Sequence, residues 1–595
     1  MTKEKKKDNI MDLIKSPYMR SFLRKYWLSY LLGIFFLIAI DFAQTRIPVY
    51  IGSVIDSLDA ASLSTAELTH DVVAIALIAV GIVLGRIIWR YFIFGTARKI
   101  ERDIRNDLFS HLEGLSLNYY QQHKTGEIMA YITNDLEAVR QAMGQGIMMV
   151  CDVICLLIFI LSSMLSLVSV SLTIYSVLPL AVIAVVTGLL GPRLFKKFFA
   201  RQKAFAEISD FVQEDISGIK VIKAFVQQEK EIDSFDKINQ NYFSKNMSLT
   251  KTRAMMDPIM TLIAGLAFVV AVIYGGYLAL NTQISVGDFT VFIQYLGMLV
   301  WPMIAVGMSI NMITMGSASL KRIEDVLEAK FDITDEPTAS EVENFCGSIK
   351  VDNLTFSYPE KDMPALKNIS FEIQEGQTLG IVGKTGSGKT TLTNLLVRIY
   401  DCEKGSIFVS GKDIREMPLK QLRSNIGYVT QDNFLFSDTI KNNIDFVNEN
   451  ASMDKITEAA EFSCVNDNIV EFPDGYETII GEKGVTLSGG QKQRVSISRA
   501  YIIEPKILIM DDSLSAVDTD TEERILKNLK EKRNGKTNII IAHRLSALQH
   551  ADKIIVIDNG EIIEHGNHKT LLQQKGLYYS LYKKQQLEKM INEEE

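Results

Sequence analysis

Three short stretches in the second half of this 595-residue chain carry residue types that handle phosphate. The first, Gly383-Lys384-Thr385-Gly386-Ser387-Gly388-Lys389-Thr390, follows an apolar Leu379-Gly380-Ile381-Val382 that reads as a strand, and a helix is expected from Leu392 to Ile399. Glycines at this spacing let the backbone curl around phosphate oxygens, the lysine meets the β- and γ-phosphates, and the threonine hydroxyl can ligate magnesium. The second, Leu487-Ser488-Gly489-Gly490-Gln491, is a turn that opens a helix. Its free N–H groups and positive helix end face an anion that nothing nearby in the chain supplies. In the third, Ile507 to Met510 reads as a buried strand that delivers Asp511 and Asp512 at its tip. In an open α/β sheet that tip is where ligands bind. Phosphoryl transfer to water needs positioning, charge neutralisation and an oriented nucleophile, and these residues suit those tasks.

With Tyr358 in FSYP, Gln431 in VTQDNFLFSDTI, Asp518 in SAVD and His543 in IIAHRLS, the set resembles an ATP-binding cassette (ABC) exporter half. The resemblance covers essentially the whole chain and implies ATP and magnesium as cofactors. It assigns the phosphates to Gly383, Lys384, Thr385, Gly386, Ser387, Gly388, Lys389, Thr390 and Thr391, and adenine stacking to Tyr358. Magnesium falls to Thr390, Gln431 and Asp511, the γ-phosphate edge to His543, and alignment of water to Asp512, with Gln431 also sensing the membrane domain. The signature Ser488, Gly489, Gly490 and Gln491, with Asp518, would complete a nucleotide site across a dimer, clamping the other subunit's ATP.

The family's motif asks for glutamate after the magnesium aspartate, where this chain has Asp512. Its side chain is shorter by one carbon bond, roughly 1.5 Å, and a misplacement of about 1 Å can cost on the order of 100-fold in rate. The site built on this chain's own phosphate loop is therefore expected to be slow or inactive. An intact signature beside a weakened base resembles the degenerate-site subunit of a bacterial heterodimeric exporter, whose different partner keeps the glutamate. Where many exporters read TEVGERG, this chain reads Thr478-Ile479-Ile480-Gly481-Glu482-Lys483-Gly484, without an acidic residue at Ile479.

The elements that must position these residues lie behind a strongly apolar first half. Six stretches are long enough to cross a bilayer, which takes about 20 apolar residues: Tyr26 to Ile51, Val72 to Phe94, Met143 to Val168, Leu172 to Leu190, Pro258 to Leu280 and Phe289 to Met315. Lys3, Lys5, Lys6 and Lys7, and the basic residues of two long loops from Arg98 to Lys124 and from Arg193 to Arg253, place both termini and both loops in the cytoplasm. The expected architecture is an α-helical six-span transmembrane domain fused to an α/β phosphate-loop nucleotide-binding domain. Its boundaries are a cytoplasmic segment 1–25, the membrane domain 26–320, a linker 321–346 and the ATPase domain 347–595, with a separate amphipathic helix over Ser317 to Lys330 and a solvated helical tail beyond Gly576.

Leu117 to Ile128 and Val212 to Ile222 read as short transverse helices of the two loops, the coupling helices of the resembling family. Asp41 lies mid-span, followed by Gln44 and Arg46, while Asp152, Arg86 and Arg90 lie in other spans. Charge inside a membrane faces a cavity or a partner. Asp41 is open to both readings, whereas the other three read as structural. Net charge of −8 gives no reason to expect nucleic-acid binding, and the five cysteines lack metal-ligand spacing. Expected partners are a second half-transporter, membrane lipids and an amphipathic cargo, a drug or lipid. A homodimeric exporter, a lipid or peptide exporter and an ATP-gated regulatory subunit stay open as alternatives.

Overall fold

A computed structural model of the chain describes residues 12–61, 63–359, 361, 363–448, 450–481 and 487–594. The four N-terminal lysines and Glu482, Lys483 and Gly484 of the TEVGERG comparison lie outside them. The chain divides into two units, one reaching to Glu113 and resuming over Thr125–Ala329, the other made of Gly114–Lys124 and the chain from Lys330 onward.

The described residues of the first unit form helices joined by short turns. Among them, five helical stretches are long and apolar enough to cross a membrane: Trp27–Asp59, Thr65–Gly114, Thr125–Ser166, Gln228–Leu280 and Val286–Leu327. A further helix, Val170–Ser217, covers the fourth expected span and is apolar over Val170–Ile183. The expected first span is two helices, Trp27–Gln44 and Ile47–Asp59, with Pro48 in the first turn of the second, where its missing N–H costs no helix hydrogen bond. The break is not left unsatisfied, since Tyr295 donates its hydroxyl proton to the Thr45 carbonyl at 2.7 Å. Close helix contacts depend on missing side chains. A Cβ on Gly287 would lie 2.3 Å from the Gly52 carbonyl oxygen, and there Asp56 accepts from the Gly287 N–H at 2.6 Å and from the Ser285 hydroxyl at 2.7 Å.

Several expected boundaries move. No separate amphipathic helix occupies Ser317 to Lys330, because the last span continues unbroken from Val286 to Leu327, burying Leu320, Ile323 and Val326. The transverse elements are shorter than expected. One is Leu117–Gln122, with Gly126 to Ile128 already in the next helix Thr125–Ala130. The other is Ile219–Ala224, since Val212 to Ser217 end the long helix before Gly218.

The second unit holds two sheets. β1 (Ile349–Phe356), β2 (Leu366–Ile373), β4 (Ile407–Val409) and β5 (Lys412–Asp413) form an antiparallel sheet in the order β2-β1-β4-β5. The larger sheet has the order β10-β9-β3-β8-β7-β6, from β3 (Thr378–Gly383), β6 (Ile426–Val429), β7 (Ile507–Asp511), β8 (Thr537–Ile541), β9 (Lys553–Asp558) and β10 (Glu561–Gly566). β3, β6, β7, β8 and β9 run parallel, and the fully buried β7 and β8 need apolar residues on both faces, as ILIMD and TNIII nearly supply. The β9–β10 hairpin turns through Asn559 and Gly560, both at positive φ, the geometry of a two-residue primed turn.

The tail is a helix, Leu577–Glu594, but it is not simply solvated. Tyr578 is fully buried, Leu577, Leu581 and Tyr582 pack on the core, and Glu564 accepts from the N–H groups of Leu577 and Tyr578 at the helix start.

Candidate nucleotide site

The parallel strands all end at one sheet edge, and that edge gathers the expected chemistry. β3 ends at Gly383 and β7 at Asp511, while β6 and β8 end two residues before Gln431 and His543. The loop after β3 turns through Gly386 and Gly388, at φ +81° and +105°, a region closed to most side chains. A Cβ on Gly388 would also lie 2.8 Å from the Ala365 carbonyl oxygen, whereas nothing stands within 4 Å of one on Gly386. The following helix runs Lys389–Leu396, starting three residues earlier than expected.

Lys389 is buried, and its ammonium donates to the Gly383 and Lys384 carbonyls, both at 2.9 Å. Burial holds its pKa below the usual lysine range, offset in part by Asp511 and Asp512. Asp511 is buried at the strand tip, where burial pushes its pKa up against the hydroxyls of Thr390 and Thr393, which hydrogen-bond it and favour the anion. Ser387 Oγ is buried beside the loop without a hydrogen-bond partner. An open glycine curve, an orphaned hydroxyl and a buried ammonium fit a polyphosphate. A hydroxyl and a carboxylate in hydrogen-bonding reach fit magnesium, which takes one or two carboxylates alongside phosphate oxygens.

Asp512 sits in the left-handed region at φ +48°. Its N–H donates to the Ile541 carbonyl at 2.9 Å, and its own carbonyl accepts from the Ser515 hydroxyl at 2.9 Å and from Gln493 Nε2 at 3.4 Å. Tyr358 places its hydroxyl 2.8 Å from Thr391 Oγ1, with its ring edge-on to Phe356 and Tyr400 at centroid distances of 5.2 Å. Gln431 and His543 are exposed.

The LSGGQ turn is built differently. Ser488 caps the helix Gly489–Tyr501 by accepting from the Gln491 N–H at 3.2 Å, and the Gln491 side chain accepts from the Ser488 N–H at 2.9 Å. Gln491 therefore serves its own helix cap. A Cβ on Gly490 would lie 2.7 Å from the Ala516 carbonyl oxygen, so this glycine is fixed by close approach of the 515–517 loop. Asp518 likewise caps a helix, Thr519–Lys532, accepting from the Thr521 N–H at 2.9 Å, a bond that lowers its pKa. Ser488 to Gln491 point their hydrogen bonds at their own helix rather than at the phosphate loop. Ile479 is 69% exposed, an apolar side chain on the surface where an acidic one was looked for.

Two glutamines escaped the sequence reading. Gln493 is buried and ties the helix after LSGGQ to the aspartate loop, donating to Ser515 Oγ at 3.1 Å and accepting from the Ala516 N–H at 3.0 Å. Gln585, on the C-terminal helix, brackets His543: its Nε2 donates to the His543 carbonyl at 2.6 Å, and its Oε1 accepts from the Leu545 N–H at 2.9 Å. Position 493 could have been suspected from its place one turn into a motif helix. Nothing local marks 585, which is 42 residues from its partner.

Comparison with known proteins places the chain's sequence and fold. Residues 30–303 match the family described as ABC transporter transmembrane region, and residues 366–515 match the one described as ABC transporter. The chain is 38% identical to the probable multidrug resistance ABC transporter ATP-binding/permease protein YheI of Bacillus subtilis (strain 168), over 95% of this chain and 97% of the relative. It is 37% identical to the multidrug resistance-like ATP-binding protein MdlA of Escherichia coli (strain K12), over 96% of this chain and 97% of that one. Among solved structures, a bacterial Atm1-family ABC exporter with ATP bound superposes with a TM-score of 0.80 at 27% identity, covering 95% of this chain and 98% of the other.

Proposed function

The chain belongs to the ABC transporter family, as an exporter with its membrane region and ATPase domain fused, and from that premise we propose that it exports amphipathic drugs or lipids as one half of a heterodimer. The names of the relatives, both of the multidrug kind, support drugs as the cargo. The single observation that carries the asymmetry is Asp512, a short side chain on a backbone fixed by bonds to Ile541, Ser515 and Gln493. That backbone cannot slide forward to make up roughly 1.5 Å of missing reach without breaking the bonds that hold it.

In this reading Lys389 turns from the two loop carbonyls to phosphate oxygens, and the loop amides add fixed positive dipoles. Magnesium, held by Thr390, Asp511 and Gln431, would supply further neutralisation of phosphate charge. His543 contacts the γ-phosphate and Tyr358 stacks on adenine. Ser488 and the Gly489 and Gly490 amides close on ATP held by the partner, whose glutamate acts there. ATP sandwiching closes the cytoplasmic side of the membrane domain, and hydrolysis reopens it.

Exposed apolar surfaces support the need for a partner. Ile216, Val221, Phe225 and Val226 are more than 60% exposed around the second transverse helix. In the other unit Phe434, Phe436 and Phe446 form an exposed aromatic cluster under Arg499. Apolar exposure of this kind marks surfaces meant to be covered. Purification of a tagged copy from its source membranes tests the proposal. A stoichiometric second ABC half with glutamate at the position of Asp512 supports it, and recovery of this chain alone as a dimer contradicts it.

A further inference from the structure

Asp41 and Asp152 meet inside the membrane unit. Asp41, on helix Trp27–Gln44, is 3% exposed, and it stands about 21 Å along the helix from Trp27 at roughly 1.5 Å per residue. Asp152, on helix Ile147–Leu167, lies within hydrogen-bonding reach of it, and Arg86, on helix Thr65–Gly114, is the cation that acts on both. The helices that carry Asp41 and Arg86 pack closely beside them, since a Cβ on Gly85 would come within 2.8 Å of the Ile40 side chain, while Asp152 is half-buried and Arg86 exposed. Among the described residues, the thiols of Cys151 and Cys155, on the same helix as Asp152, are further titratable neighbours.

The charge does not balance as drawn. Two carboxylates and one guanidinium leave one negative charge uncompensated in a medium where an unpaired ion costs several kcal/mol. Hydrogen bonding is unbalanced too, because Asp41 Oδ2 is buried with no donor. One proton corrects both faults. It brings the trio to neutrality and supplies an O–H between two carboxyl groups that cannot both ionise at contact distance.

We propose that Asp41 and Asp152 form a proton-binding site of the membrane domain, holding one shared proton opposite Arg86 when helices Trp27–Gln44 and Ile147–Leu167 are packed together. The proton comes from water and returns to it, with no other bond made or broken. Since the site exists only while those two helices are apposed, its proton stabilises that arrangement, and separating the helices releases it.

Infrared spectroscopy of the full-length protein in lipid tests this directly, together with its partner chain if the two co-purify. At neutral pH the wild type is expected to show a protonated-carboxyl C=O stretch that shifts in D2O and disappears in both Asp41→Asn and Asp152→Asn. Thermal unfolding of the wild type should weaken as pH rises and the shared proton is lost, while Asp152→Asn, which needs no proton, should stay flat over the same range. Size-exclusion elution confirms that each variant is folded, and either one alone suffices for the band assignment. Absence of the band in the wild type, or its persistence in a folded variant, overturns the proposal. So does stabilisation by sodium without a carboxylic-acid band, which would make the occupant a metal cation.

Discussion

Lys389 is the residue on which the most rests, because it brings a full charge to a loop otherwise made of backbone amides. Lys389→Ala is expected to weaken ATP binding at this chain's own phosphate loop by about 10- to 100-fold, as loss of a charged hydrogen-bond donor does, read by nucleotide titration of a protein whose elution volume is unchanged. Gln585 acts one step back, as a positioning residue that fixes the backbone on both sides of His543. Losing its two hydrogen bonds, at about 1 kcal/mol each, should weaken ATP binding at this chain's own phosphate loop by about 5- to 30-fold. Nucleotide titration of Gln585→Ala in the assembled transporter separates this from general instability, which would lower the amount of binding protein without a change in Kd. Gln585→Glu should restore only part, because a carboxylate can accept from Leu545 but repels the His543 carbonyl. At this scale the sequence was most legible where motif and geometry coincide, at Lys389, Asp511 and Ser488. It was silent on Gln585, whose bonds cross 42 residues of chain.

Among the elements, the C-terminal helix Leu577–Glu594 changes most in meaning between sequence and structure. Its polar residues read as solvated, yet Tyr578 reaches the core and donates or accepts at 2.7 Å with His568 Nδ1. Burial and the nearby His550 hold the His568 pKa below the usual value. A histidine kept neutral by folding contributes stability that is present above its unfolded pKa, about 6.5, and lost as pH falls below it. Docking of this helix should therefore loosen between about pH 7.5 and 5.5, seen as faster amide exchange over residues 577–590. In His568→Phe that acid-side loss should vanish. The spans were readable because length and apolarity suffice to define them, as were β3, β7 and β8 from their apolar runs. Boundaries at Pro48, Gly126 and Gly218 shifted because local breakers act against packing that only the fold reveals: Tyr295 caps the first break, whereas Gly126 is absorbed into a helix. At Gly287 tertiary contact leaves no room for a methyl group, so Gly287→Ala is expected to cost about 2 kcal/mol or more through overpacking and loss of the Asp56 cap, read as a lower unfolding midpoint in detergent.

For the whole molecule, one chain offers a membrane domain whose described residues hold five helices long and apolar enough to span and a sixth apolar over Val170–Ile183, and an LSGGQ turn whose hydrogen bonds leave its helix start facing outward. Both features need a second subunit, the first to enclose a pathway and the second to meet a nucleotide. In the proposed reading, Asp512 decides what kind of subunit that is. The most direct measurement is ATPase activity of this chain purified alone in lipid, beside Asp512→Glu, with the size of each particle determined. A heterodimeric half should be nearly inactive alone and should gain little from the substitution until a partner is added, when turnover appears. If the wild type alone is a dimer with turnover that Lys389→Ala removes, Asp512 is a working base at two equal sites and the asymmetric account is wrong.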